Sequence, residues 1–285
     1  MKIGFIGQGW IGKNYADSFE AKGLEVVRYS IEASYLENKK KISECDIVFI
    51  AVPTPTTVSG FDDSIIREVI ALVGKGKTAV IKSTMLPGTT DSIQEQYPEV
   101  FVLHSPEFLT EATARFDADH PTRNIIGIPK NNTEYKKRAE EVMKILPKAP
   151  YEKICAAREA EVIKYGRNVL GYVRVVFSNI LYDIAQKTGA DWKAIEEAIS
   201  ADPDNGPTYM KPLHKSGRGA GGDCFIKDFS AFADFVAKQM PDDENARAVL
   251  EAVKEKNLEL LVSTNKDLKL LEGVYGSDII NKYKK

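Results

Sequence analysis

Cys224 is the residue of this chain best set for covalent chemistry. It ends the run Gly217-Arg218-Gly219-Ala220-Gly221-Gly222-Asp223, and Lys227 and Asp228 follow three and four positions later. Glycine loses more backbone freedom on folding than any other residue, so a cluster of four marks a loop that needs special conformations or close approaches. Beyond it Phe225, Ile226, Phe229, Phe232, Ala233 and Val236 recur at helical spacing. The cysteine therefore falls at or near a helix N-terminus, where the positive dipole end and a lysine both favour the nucleophilic thiolate. A lone cysteine usually reads as a small core side chain; the glycine run and the charged pair favour a functional reading here. A second polar set, Glu161, Lys164 and Asn168, stands at i, i+3 and i+7 on one helix face. By spacing alone it reads as a solvated stripe.

The chain opens with another chemistry-bearing pattern. A short apolar stretch, Lys2–Ile6, runs into Gly7-Gln8-Gly9-Trp10-Ile11-Gly12, then a helical pattern to Gly23, then a second strand, Leu24–Tyr29. Strand, glycine turn, helix and strand within about thirty residues is the dinucleotide-binding unit, its pyrophosphate held at the helix N-terminus. Trp10 either shields that pyrophosphate or packs. The acidic residue expected at the end of the second strand is replaced by Ser30, with Arg28 before it and Glu32 after it. An arginine there can receive a 2′-phosphate, which leaves NAD and NADP both open.

These residues need a scaffold. Apolar strands at Asp46–Val52, Thr78–Lys82, Val100–His104 and Asn124–Ile128 alternate with helical patterns at Ile65–Val73 and Glu134–Leu146. The pattern predicts an α/β fold with a doubly wound parallel sheet of Rossmann type over residues 1–153. Loops beginning at Pro53, Ser83 and Ser105 lie at the carboxyl edge, where such sheets bind ligands. Residues 154–285 read as an all-helical region. It opens with one long helix, 157–188, on the order of 45 Å by the standard rise per residue. Its apolar stripe (Val162, Val169, Val173, Val176, Phe177, Ile180, Ile184) suggests a shared spine or a dimer seam. Helices at Asp191–Ile199, Asp228–Lys238 and Asp243–Val262 complete the reading.

Composition narrows the field. The 285 residues have a soluble protein's balance and a net charge of −2, so bulk electrostatics favour neither nucleic acid nor an anionic membrane. Cys45, Cys155 and Cys224 are too few and too scattered for a disulfide frame or zinc site, and His104, His120 and His214 form no ligand pattern. Cys45 and Cys155 read as core residues. No apolar run is long enough for a membrane span. A strand at the very start leaves no room for a signal peptide, so a cytoplasmic location is expected.

Taken together, Gly7–Gly12, Val52–Thr56, Ser83–Thr89, Ser105–Glu111, Pro121–Gly127, Glu159–Asn168 and Gly219–Asp228 follow a known order and spacing. The chain resembles the UDP-glucose/GDP-mannose 6-dehydrogenases from Met1 to about Leu261. The related hydroxyacid and 6-phosphogluconate dehydrogenases share the first domain and the long helix but lack the Gly-Gly-x-Cys nucleophile. The resemblance implies NAD-dependent, four-electron oxidation of a primary alcohol, such as C6 of UDP-glucose, to a carboxylate. It assigns Cys224 as the nucleophile, Lys164 as the oxyanion stabiliser and Asn168 as an orienting group. Asp228 and Thr84 hold a proton-accepting water, and Glu107 is the acid/base of thioester hydrolysis. The cofactor is expected on Gly7, Gln8, Gly9, Trp10, Ile11, Gly12, Ser30, Val52, Pro53, Thr54, Ser83, Glu111 and Lys227. The sugar nucleotide is expected on Phe108, Leu109, Gly219, Gly221 and Gly222, and a homodimer through the long helix.

Two departures qualify this. The family's loop has Phe, Ser and Pro where this chain has Ala220, Asp223 and Ile226, and Asp223 adds a charge that opposes thiolate formation. Family members also continue into a further nucleotide-binding domain, for which the residues after Leu261 are too few. Two other readings stay open. One is a two-electron hydroxyacid-type dehydrogenase using Lys164 and Asn168. The other is a non-catalytic nucleotide-binding relative that needs a partner chain.

Overall fold

The computed structural model describes residues 1–284; Lys285, the last residue of the expected helical region, lies outside them. The chain divides into two compact units, one of Met1–Pro55 with Asp62–Lys164 and one of Thr56–Phe61 with Tyr165–Lys285. The division falls inside the long helix, Ala157–Thr188.

The first unit is a seven-stranded sheet in the order Glu25–Tyr29, Lys2–Ile6, Ile47–Ile50, Thr78–Ile81, Phe101–His104, Arg123–Ile128, Tyr151–Ala156. All neighbours are parallel except Phe101–His104 and Arg123–Ile128. The first strand lies between the second and third, which makes their shared carboxyl edge the switch point where doubly wound sheets bind ligands. Central strands read as continuous apolar runs because both faces are covered: Ile47, Val48, Phe49 and Ile50 are all at most 3% exposed. Their core joins Phe5, Phe19 and Phe49 to Leu103, Ile126 and Val142. The third strand ends at Ile50, short of the expected Val52, because the chain turns there into the Pro53 loop. The edge strand Tyr151–Ala156 carries the sheet past the 153/154 boundary expected from sequence. Its half-exposed Tyr-Glu-Lys-Ile-Cys-Ala pattern gives little sign of a strand.

The second unit is mainly helical. Phe229 of the helix Asp223–Gln239 stacks on Tyr172 of the long helix at 3.9 Å, and Phe232 on Tyr165 at 5.8 Å. Ile226, Leu258, Leu261, Val262, Leu271 and Ile280 form a core of this unit, which the terminal helices Leu268–Tyr275 and Ile279–Tyr283 close. The cysteine helix begins at Asp223, five residues ahead of the expected Asp228. The single stripe expected on the long helix resolves into two faces. Val169 and Val176 are buried with Tyr165, Tyr172 and Val175, while Val162, Phe177, Ile180 and Ile184 are exposed with Ile163 and Leu170. Among the described residues no helix is long and apolar enough to cross a membrane.

Candidate active site

The glycine turn of the first unit separates into three jobs. Gly7 adopts φ +90°, and a Cβ there would meet the Ala51 carbonyl oxygen at 2.3 Å. A Cβ on Gly12 would lie 2.0 Å from the Gly7 oxygen, so helix Trp10–Ala21 packs against the turn only with glycine present. Gly9 is different: a Cβ there meets nothing within 4 Å, and the helix it caps has no side-chain cap. Free N–H groups under open space suit an anionic pyrophosphate. Gln8 is buried and donates Nε2 to the Gly7 oxygen at 3.1 Å; Trp10 is exposed and Ile11 partly so.

Ser30 is buried at the end of its strand, its Oγ accepting the Glu32 N–H at 3.2 Å. Arg28 is already occupied. Its Nη2 lies 2.6 Å from Asp17 and 2.7 Å from Glu20, and Nε donates to Glu20 at 3.0 Å. A guanidinium held by two carboxylates is poorly placed to receive a 2′-phosphate. The loops after the third and fourth sheet strands are laced together, the Ser83 hydroxyl donating to the Val52 oxygen at 2.6 Å and the Thr54 hydroxyl to the Thr84 oxygen at 3.0 Å. Pro53 is exposed and Thr84 partly so, and Glu111 is exposed at the start of a short 3-10 turn. The residues present fit a dinucleotide.

A buried polar cluster occupies the same unit. Lys164 Nζ donates to the Glu107 carbonyl oxygen at 2.8 Å and lies 3.9 Å from its carboxylate, with both side chains almost fully buried. Glu107 Oε2 accepts the Leu109 N–H at 2.7 Å. Phe108 packs with Ile125, Cys155 and Ala160 and lies under the Arg123 guanidinium, 4.0 Å from ring centroid to Cζ. Sequence reasoning missed Lys82, which is 3% exposed. Its Nζ donates to the Ser105 carbonyl and hydroxyl oxygens at 3.1 and 3.3 Å and lies 4.4 Å from the Tyr15 ring centroid. Burial lowers its pKa to about 8, partly offset by Glu107. Burial, with Lys82 and Lys164 nearby, pushes His104 down to about 3, so its ring is neutral. The only sequence signal for Lys82 is a charge ending an apolar strand.

Glu161 departs from the solvated position its spacing predicts. It is 0% exposed, and its carboxylate accepts the Gly88 N–H at 2.6 Å and the Thr90 N–H at 2.8 Å. It supplies the cap that helix Thr89–Gln96 lacks of its own. The solvated-stripe expectation is thus corrected for all three residues: Lys164 and Asn168 are buried too. Each side chain has found a distant polar partner, which makes burial affordable.

In the second unit Cys224 is exposed in the first turn of helix Asp223–Gln239, capped by Gly222 at φ +81°. Cys45 and Cys155 are buried, and burial raises both thiols to about 11. One turn past Cys224, Asp228 is 1% exposed and holds a donor on each oxygen: Asn168 Nδ2 at 2.6 Å and Lys227 Nζ at 2.5 Å. Asn168 is thereby committed to Asp228, a partner its expected orienting role does not include. Burial lowers the Lys227 pKa, but Asp228, Cys224 and Asp223 outweigh it and leave it raised. Gly219 is buried at φ +84°, Gly221 is partly exposed and Gly222 exposed.

The fold and the turn define a dinucleotide-binding α/β chain with a helical, cysteine-bearing second unit. Residues 35–146 match the NAD binding domain of the UDP-glucose/GDP-mannose dehydrogenase family, and residues 158–259 match its central domain. The chain belongs to the UDP-glucose/GDP-mannose dehydrogenase family. It is 30% identical over 264 residues to UDP-glucose 6-dehydrogenase YwqF of Bacillus subtilis (strain 168), covering 88% of this chain and 57% of that protein. Its fold resembles a UDP-glucose dehydrogenase from Pyrobaculum islandicum, with TM-score 0.77, 26% identity, 95% of this chain and 70% of that one. A 3-hydroxyisobutyrate dehydrogenase from Mycobacterium tuberculosis shares the fold alone, with TM-score 0.68, 15% identity, and 100% and 99% of the two chains covered. The chain spans about half the length of the curated relatives it matches.

Proposed function

We propose that this chain oxidises a primary alcohol of a nucleotide sugar to a carboxylate in two NAD-dependent steps through a covalent bond to Cys224. The observation that carries the reading is Cys224, the one exposed thiol of the three, in the first turn of a helix whose next turn holds Asp228 between Asn168 and Lys227. Helix N–H groups and Lys227 favour the thiolate.

The chemistry explains why these residue types are needed. By the family resemblance, Asp228 and Thr84 are the pair assigned to the water that takes the alcohol proton, and Lys164 is assigned to the alkoxide. An aldehyde has no hydroxyl to ionise, so the Cys224 thiolate adds to its carbon and leaves an oxyanion on a thiohemiacetal. Oxidation of that adduct gives a thioester, and Glu107 assists the water that cleaves it, returning the thiolate and releasing the acid. Bound NAD would accept two electrons at each oxidation. It would be held by the turn of Gly7, Gly9 and Gly12, by Ser30 and by the loops at Val52 and Ser83. The occupied Arg28 supports NAD over NADP.

We read the first unit as the cofactor-binding part and the second as the part that carries the nucleophile. The exposed face of the long helix supports a homodimer. Ile163, Leu170, Phe177 and Ile184 recur every seven residues, with Ile180 beside them, the spacing of a coiled-coil seam. A reducing, cytoplasmic setting suits a working thiol.

The test is a nucleotide-sugar panel with NAD and NADP. The expected result is two reduced cofactors per acid formed, and no acid from Cys224→Ala. One reduced cofactor per turnover, undiminished in Cys224→Ala, would assign the two-electron reading instead. Nucleotide binding without turnover on any sugar would assign the binding role.

A further inference from the structure

The loop that delivers Cys224 is gripped by side chains from the end of helix Glu244–Ser263 and the turn after it. Asn257, 1% exposed, pairs with Ala220 in both senses: its Oδ1 accepts the Ala220 N–H at 2.7 Å and its Nδ2 donates to the Ala220 oxygen at 3.0 Å. Thr264 Oγ1 accepts the Arg218 N–H at 3.1 Å. Lys266, 4% exposed, donates Nζ to the Gly219 oxygen at 2.9 Å and the Gly217 oxygen at 3.4 Å. Asp267 Oδ2 accepts the Gly222 N–H at 2.8 Å, at the cap of the cysteine helix.

The fit explains part of the glycine run. A Cβ on Gly221 would sit 2.1 Å from that Asp267 oxygen and 2.7 Å from Lys266 Cε. Asp267 holds φ +55° and Asn265 φ +54°, a region that residues with side chains keep only where their surroundings over-determine it. A lysine amine is costly to bury without acceptors, and here it is given loop carbonyls. Thr264, Lys266 and Asp267 all lie beyond residue 259, where the match to the family's central domain ends.

We propose that Asn257, Thr264, Lys266 and Asp267 form a clasp that positions the Cys224 thiol and, through Asp267, tempers its ionisation. The proposal rests on the reading of Cys224 as a nucleophile, and the four are positioning residues that act through the loop. Within this unit Asp223, Lys227 and Asp228 share the helix of Cys224, while Lys266 and Asp267 bond the loop before it at Gly219 and Gly222. Lys227 and Lys266 favour the thiolate; the three carboxylates oppose it.

The test uses the full chain without substrate. Amide hydrogen exchange is followed over residues 217–224, and Cys224 alkylation by iodoacetamide is followed against pH. Lys266→Met and Asp267→Ala should speed loop exchange about tenfold or more, the loss of a charge-assisted hydrogen bond, while exchange in the central sheet strands is unchanged. Asp267→Asn keeps an acceptor for the Gly222 N–H, so its loop exchange should stay as in the wild type while the alkylation midpoint moves to lower pH. Wild-type loop exchange in Asp267→Ala, at a partly exposed position, would overturn the clasp even if Lys266→Met fails to fold. An unshifted alkylation midpoint in Asp267→Asn would overturn the tempering. If loop exchange responds while Cys224→Ala leaves turnover intact, the clasp stands and the proposed reaction falls; the converse pair of results removes only the clasp.

Discussion

Glu161 accepts both the main-chain N–H and the hydroxyl of Thr90, at 2.8 and 2.6 Å, from a fully buried position on the long helix. Burial raises its pKa from 4.5 to about 7, against the pull of the Thr90 and Gly88 donors. The folded protein therefore holds a proton that the unfolded chain has released between those two values. Stability should fall as pH rises through that window and level off above it, by at most about 3 kcal/mol at 1.36 kcal/mol per unit. Glu161→Gln should flatten this slope. Urea unfolding at a series of pH values checks it, and a wild-type slope equal to the variant's would refute the assignment.

The glycine turn predicts opposite outcomes for two similar substitutions. Gly12→Ala forces a methyl against the Gly7 carbonyl and should cost about 1–3 kcal/mol of stability. Gly9→Ala should cost about 1 kcal/mol or less, because its methyl meets only open space. It should nevertheless weaken NAD binding at least tenfold, by occupying the space assigned to the pyrophosphate. Thermal unfolding and calorimetric titration separate the two effects; tight NAD binding by Gly9→Ala would move the cofactor elsewhere.

The pair of carboxylates on Arg28 predicts cofactor choice. NAD should bind at least tenfold more tightly than NADP. Replacing Asp17 with Asn and Glu20 with Gln together frees the guanidinium and should narrow that ratio, chiefly by improving NADP. An unchanged ratio in the double variant would show that Arg28 does not face the ribose.

The exposed seam predicts assembly. The wild type should sediment as a dimer at micromolar concentration, and Leu170→Glu with Phe177→Glu should give a folded monomer with unchanged circular dichroism. The two positions are 71% and 60% exposed in the single chain, so the charges do not disturb its core. A wild type that stays monomeric at every concentration removes the proposal.

Local rules made some of this molecule readable from its residues and hid the rest. The glycine turn was legible because Gly7 and Gly12 answer backbone constraints that no other residue meets, and the alternating apolar strands announced the sheet. The burial of Glu161, Lys164 and Asn168 was not legible by spacing. Their partners Thr90, Glu107 and Asp228 lie 71, 57 and 60 positions away, and only the fold brings them near. Lys82 and Lys266 were hidden for the same reason: a lysine looks solvated until the carbonyls that accept from it are in place. On the long helix, an exposed and a buried apolar face merged into one stripe, because hydrophobicity does not say what covers it.

The small antiparallel hairpin of Thr56–Thr57 and Gly60–Phe61 is encoded within the first hundred residues, yet it packs on the cysteine helix and on Leu268–Tyr275 and belongs to the second unit. A gene fused by a single crossover at position 165 would deliver the nucleophile-bearing half without that piece of its wall. Covalent order and packing therefore part company here: cutting the chain at the unit boundary does not yield two pieces that each carry all of their own contacts.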